Sequence, residues 1–189
     1  MERNVNQLGV DRELALFLRD HAPMCSEQVT WLGGEIELDL TTYVTSDTPP
    51  YALTTSGRCI VLSDFSVLMM HNPSGNHILP GGRRERGEPL RSATIREVAE
   101  ETGLAISSPK QLGVIAFRHL TPKPVNYPYP YPVFMNIVYV TRVSEQSQVA
   151  VNDTYELAGE FVALHNSCIR RLPLHQQMLL AAAVNGEWT

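Results

Sequence analysis

Residues 82–104 read Gly82-Arg-Arg-Glu-Arg-Gly-Glu88-Pro-Leu-Arg-Ser-Ala-Thr-Ile-Arg96-Glu97-Val98-Ala-Glu100-Glu101-Thr-Gly103-Leu104, and the rest of the chain is organised around this stretch. Pro89 to Thr102 has the pattern of a helix. Pro89 suits a first turn, where a missing N–H costs nothing, and Gly103 stands just past the end. At about 100° per residue, Glu97, Glu100 and Glu101 share one helix face, with Ile95, Val98, Ala99 and Thr102 roughly opposite. One face therefore packs on a core while the other gathers three carboxylates. Like charges at this spacing repel one another, and a divalent cation would offset the repulsion. Carboxylate oxygens suit a hard ion such as Mg²⁺, and no cluster of His or Cys competes for a softer metal. The same residues also read as a solvated acidic face on which Arg96 pairs with Glu100 four positions on.

Upstream, Arg58–Leu62 and Val67–Met70 read as two strands joined by a turn at Ser63, Asp64 and Ser66. His77-Ile78-Leu79 then runs into Pro80-Gly81-Gly82, a strand end meeting backbone that only glycine tolerates freely. Nearer the N-terminus, Asp11 is placed to cap a short helix to His21, and Trp31–Tyr43 alternates as one half-buried strand. Thr48-Pro49-Pro50 breaks the chain there. The expected organisation is therefore an extension of helix and strand over residues 1–50, packed on a main domain over residues 51–189. Downstream, Gly113–Phe117, Val133–Val143 and Glu160–Leu164 read as strands, and Pro173 opens a closing helix to Gly186. Strands mixed with a few helices indicate a layered α/β fold.

Composition sets the outer bounds. The chain has 189 residues, 43% of them apolar, and a formal net charge of -5, which describes a single soluble domain. Cys25, Cys59 and Cys168 are odd in number and far apart, so they read as reduced thiols in a cytoplasmic protein. The acidic balance argues against duplex nucleic acid as a partner, and no apolar run approaches the roughly 20 residues of a membrane span.

The quoted stretch resembles the Nudix hydrolase signature, Gly-x5-Glu-x7-Arg-Glu-U-x-Glu-Glu-x-Gly-U with U a bulky aliphatic. Gly82, Glu88, Arg96, Glu97, Val98, Glu100, Glu101, Gly103 and Leu104 meet every defined position. The resemblance implies an α/β/α sandwich with a mixed β-sheet, one or more Mg²⁺ or Mn²⁺ ions, and hydrolysis of the pyrophosphate bond in a nucleoside diphosphate linked to another group X. Candidate substrates are a nucleotide sugar such as ADP-ribose or a nucleoside triphosphate. It further implies that Glu97, Glu100 and Glu101 ligate the metal with the Gly82 carbonyl, and that Arg96 orients either Glu97 or Glu88. The general base is Glu97 or a later carboxylate, Glu160 or Glu156. A homodimer is the assembly to expect from the family. The alternative is a catalytically silent nucleotide-binding or regulatory protein that keeps the fold.

Beside the signature, Arg83 and Arg84 are suited to phosphate contacts. Pro122–Pro132 alternates proline with Tyr127, Tyr129 and Tyr131. Tyr129 is the candidate to stack on a nucleobase; the same segment also reads as a surface insertion or a dimer contact.

Overall fold

The structure is a computed structural model, and it describes residues 5–73, 75–144, 149–150, 158–186 and 188. In chain order the elements are α1 (Val5–Asp20), β1 (Cys25–Trp31), β2 (Ile36–Val44), β3 (Thr54–Ser63), β4 (Ser66–Asn72) and β5 (Gly75–His77), then α2 (Leu90–Thr102), β6 (Lys110–His119), β7 (Val133–Arg142), β8 (Ala158–Ala163) and α3 (Leu174–Val184). The strands form one mixed sheet in the order β1-β2-β6-β7-β3-β4-β5, with β8 pairing β4. β3 and β7 run parallel and the other pairs antiparallel.

Alternation along β3 and β7 sends side chains to two faces. Ile60, Leu62, Phe134, Val138 and Val140 share a core with Leu179 and Leu180 of α3. Cys59, Val61, Ile137 and Tyr139 pack with Val98 of α2 on the other face. Phe17 of α1 joins Tyr43, Val114, Ala116 and Met135. The result is the α/β/α arrangement with a mixed sheet that the signature implied. Among the described residues, no helix is long and apolar enough to cross a membrane.

Two elements differ from the sequence reading. The first helix begins at Val5, so Asp11 lies inside it instead of capping it. Its apolar stripe starts earlier than expected, with Val10 preceding Leu14 and Phe17 at helical spacing. The strand expected over Trp31–Tyr43 is β2, which begins at Ile36 and is the second arm of a hairpin whose first arm, β1, lies before the expected segment. Leu32, Gly33 and Gly34 all take positive φ (51°, 66° and 102°) and turn β1 back along β2. Residues 25–44 thus supply two strands of the common sheet, and β2 pairs directly with β6.

The end of β3 positions the site. Its N-terminal half meets β7 on one edge, and on the other Cys59 N–H donates to the Pro80 carbonyl (2.9 Å) and Gly57 N–H to the Gly82 carbonyl (3.0 Å). The Pro80–Gly82 backbone is thereby laid along β3 beneath α2.

Candidate active site

Helix α2 carries the charged half of the site. Ala93, Thr94, Val98 and Thr102 are its buried residues, and Ala99, expected on the packed face, is exposed. Pro89 occupies the N-cap, and Gly103 ends the helix in the left-handed conformation with φ 70°. On the opposite side, Glu97 and Glu101 enter a cleft of about 810 Å³, which Gly81, Gly82, Arg58, Arg83 and Tyr129 also line.

The glycines explain how the helix and the loop come so close. Gly81 has φ +126°, and a Cβ there would stand 3.1 Å from Arg58 Cα and closer still to the Gly57 carbonyl. Its N–H donates to Glu101 Oε2 at 2.7 Å, and its carbonyl accepts from the Arg58 guanidinium. Gly82 abuts the Glu97 carboxylate: a Cβ on it would come within 2.5 Å of Glu97 Cδ. Gly81 thus lets the loop lie against β3 while its N–H holds Glu101, and Gly82 leaves room for the Glu97 carboxylate.

Arg96 organises the helix face. Its Nη1 donates to Glu97 Oε1 (2.8 Å) and Glu100 Oε2 (3.0 Å), its Nε and Nη2 to the two Glu88 oxygens (3.2 and 3.1 Å), and Nη2 also to the Arg83 carbonyl (3.2 Å). Hydrogen bonding from Arg96 holds the Glu88 carboxyl below the usual range, and the same bond raises the arginine. Glu88 also accepts the Glu85 N–H (3.0 Å), which closes the loop between Gly82 and the helix. Thus Arg96 pairs with Glu100, as the solvated-face reading had it, and also reaches Glu97 and Glu88. Glu100 itself points to Arg96, its side chain 59% exposed, and is absent from the cleft wall.

The other sequence candidates fall in different places. Arg83 lines the cleft with its guanidinium 4.0 Å from the centroid of Tyr129. Phe134 stacks on the same tyrosine at 4.7 Å, so both partners of Tyr129 are already in place. Arg84 lies over Tyr51 at 3.7 Å and donates to its carbonyl, away from the cleft. Glu160 on β8 faces His71 Nε2 at 3.2 Å and does not line the cleft. Glu156 lies outside the described residues.

Several cleft residues escaped the sequence reading. Trp31, Phe117 and Phe134 join the expected Tyr129 in an aromatic wall, with Phe117 and Phe134 stacked at 4.7 Å and Trp31 within 5.3–6.4 Å of the other three. Arg58, Asn136, His175 and Gln176 add polar groups. The signal that could have found Glu27, whose carboxylate holds His175, is parity. Glu27 occupies an inward position in Cys25-Ser-Glu-Gln-Val-Thr-Trp31, where alternation calls for an apolar residue.

The family model for the NUDIX domain matches residues 53–179. The chain belongs to the Nudix family. Over 61 residues it is 42% identical to a Bacillus subtilis (strain 168) protein described as the uncharacterized Nudix hydrolase YvcI; the match covers 32% of this chain and only 39% of that relative. The fold is similar to the Bacillus subtilis pyrophosphohydrolase BsRppH, with TM-score 0.59, 16% identity and coverage of 86% of this chain and 98% of that one. It is also similar to the NUDIX domain of Shewanella oneidensis NrtR, solved with ADP ribose, at TM-score 0.50 and 15% identity, covering 69% of this chain and 83% of that one. The Nudix signature is the loop, helix and glycine cap that the structure places on the cleft.

Proposed function

We propose that this Nudix protein hydrolyses the pyrophosphate bond of a nucleoside diphosphate linked to X, releasing a nucleoside monophosphate and phosphorylated X. One observation carries the proposal: two carboxylates from a single helix turn, Glu97 and Glu101, open into the same cleft as two arginines and an aromatic wall.

The donor set fits a hard divalent ion. Mg²⁺ takes one or two protein carboxylates and fills its other positions with water and phosphate oxygens. Among the described residues no three His, Cys, Asp or Glu side chains are gathered to hold an ion by themselves. This suits a site that the substrate's phosphates complete. Glu97 and Glu101 would hold Mg²⁺ or Mn²⁺, joined by Glu100 once it leaves Arg96. The Gly82 carbonyl accepts one hydrogen bond, from Gly57, and keeps a second lone pair for the ion, and the Gly81 carbonyl is bonded to a side chain that can move. A bound ion supplies charge neutralisation on the diphosphate and a more acidic water.

The chain's own groups do the rest. Arg96 engages Glu97 Oε1, so Glu97 Oε2, beside Gly82, is the atom left to take a proton from the attacking water. This favours Glu97 over Glu160, whose carboxylate stands at His71 outside the cleft. Arg58 and Arg83 are placed to meet phosphate oxygens, and Arg83 would leave the Tyr129 ring to do so. The base would lie against Trp31 and the ring face that Arg83 vacates. The substrate class is a nucleotide sugar such as ADP-ribose or a nucleoside triphosphate.

The test is to incubate the protein with Mg²⁺ or Mn²⁺ and ADP-ribose, nucleotide sugars, dinucleoside polyphosphates and nucleoside triphosphates, and to identify products by mass. The expected product is a nucleoside monophosphate from at least one of them. Metal binding without any cleavage across the panel would instead support the silent, nucleotide-binding alternative.

A further inference from the structure

The cleft wall includes a histidine, His175, hydrogen-bonded to Glu27, that neither the signature nor the proposed hydrolytic chemistry uses. Glu27 on β1 accepts two hydrogen bonds at Oε1, from the backbone N–H of His175 (2.9 Å) and from its ring Nδ1 (2.5 Å). His175 stands in the first turn of α3 and is 8% exposed, yet it lines the cleft together with Trp31, Phe117 and Phe134. An ionised carboxylate accepts only, so Nδ1 carries the proton and Nε2 is left with its lone pair. Burial lowers the His175 pKa, against the pull of Glu27, and so favours this neutral form. Among the described residues Nε2 has no partner.

The neighbouring residue presents the complementary group. Gln176 Oε1 accepts the Ile78 N–H at 2.9 Å, which fixes the amide orientation and leaves its NH₂ as a donor. Both side chains line the cleft. An acceptor and a donor on successive residues, in a cleft that four aromatic rings also line, match the edge of a planar heterocycle that offers a donor next to an acceptor. A group buried this deeply and built to accept one hydrogen bond discriminates against a ligand that cannot donate it.

We propose that His175 is a specificity-determining residue whose Nε2 accepts a hydrogen bond from the purine base of the substrate, and that Glu27 is the positioning residue that fixes its tautomer. The inference rests on the nucleotide reading of the cleft and names the part of the substrate that His175 meets. A purine, with two fused rings, offers the larger stacking face to the four aromatic rings, and adenine and guanine each carry a donor on the edge next to an acceptor. Unsubstituted purine carries acceptors alone and would set a lone pair against Nε2.

The experiment measures kcat/KM for ATP, GTP and ADP-ribose, each against its counterpart bearing unsubstituted purine, in the wild-type protein and three variants. His175→Asn keeps an amide near the Nδ1 position for Glu27 and removes the atom facing the cleft; His175→Gln reaches towards the Nε2 position. Glu27→Ala removes the positioning carboxylate. Thermal melting of each variant checks its fold. The expected result is that the wild type prefers a donor-bearing base by about tenfold. The preference should collapse towards one in His175→Asn and Glu27→Ala and return in part in His175→Gln. A purely structural role would slow all substrates alike and leave the ratio unchanged, and that outcome overturns the assignment while the hydrolase reading stands. Cleavage of pyrimidine nucleotides alone overturns this inference and leaves the nucleotide reading standing, whereas failure of the wild type to bind or cleave any nucleotide overturns both.

Discussion

Gly82→Ala is a single-methyl perturbation that separates the position of a carboxylate from the stability of the fold. Gly82 is not among the positive-φ glycines, so alanine meets no backbone penalty there. The new Cβ would start 2.5 Å from Glu97 Cδ, where ordinary contact begins at 3.4 Å, so the carboxylate must retreat by about 1 Å. The atoms that clash belong to the far end of a flexible side chain, so rotation of Glu97 relieves the overlap with little disturbance of the core. A melting temperature within a few degrees of wild type is expected. A displacement of about 1 Å at the reacting groups costs on the order of 100-fold in rate. The assay pairs kcat on the best substrate from the panel with Mn²⁺ affinity measured by paramagnetic resonance; both should fall while the melting curve holds. Gly87→Ala is the control: its φ of +82° strains the loop, but no atom lies within 4 Å of the new methyl, so stability should drop and metal affinity persist. Unaltered turnover in Gly82→Ala would refute the idea that the Glu97 position matters, and collapse of the fold would refute the idea that the side chain yields cheaply.

Two further outcomes are expected. Tyr129 packs between Phe134 and Arg83, so Tyr129→Ala should both destabilise the protein in urea titrations and raise KM for nucleotides; loss of stability with unchanged KM would confine Tyr129 to packing. His119 is 7% exposed with neither ring nitrogen hydrogen-bonded, and burial lowers its pKa. The unfolded chain therefore takes up a proton near pH 6.5 that the folded one refuses, and stability falls as pH drops below that value. His119→Phe should raise stability at pH 7 by about 1 kcal/mol and flatten the acid side of the curve, and an unchanged pH profile would count against this account.

How much of this was legible depended on where the information lay. The helix Leu90–Thr102 was plain because its Pro, Gly and charge pattern are local, and those same residues carry the signature. β1 was hidden because one inward residue, Glu27, is acidic, and only its pairing with His175, 148 residues away, explains that choice. Arg58 reads as an ordinary strand residue until the loop Pro80–Gly82 is laid beside it. The aromatic wall draws on β1, β6, β7 and the segment between the last two, so no window of sequence displays it. Tyr129 shows both sides: the residue type was noticed, but its packing between Arg83 and Phe134 depends on the fold. Glu160 stood second to Glu97 as a candidate base, and topology separates them, since β4 pairs with β8 and directs Glu160 to His71.

Glu101 enters the cleft and accepts the Gly81 N–H at 2.7 Å, and the proposed metal site depends on its charge. The decisive measurement is metal-dependent turnover of the best substrate by wild type and Glu101→Gln, with folding checked by melting. The glutamine can keep the hydrogen bond from Gly81 through its amide oxygen while losing the negative charge. An intact fold, weakened Mn²⁺ binding and loss of most Mg²⁺-dependent cleavage are expected; full activity in a folded Glu101→Gln would rule out Glu101 as a metal ligand.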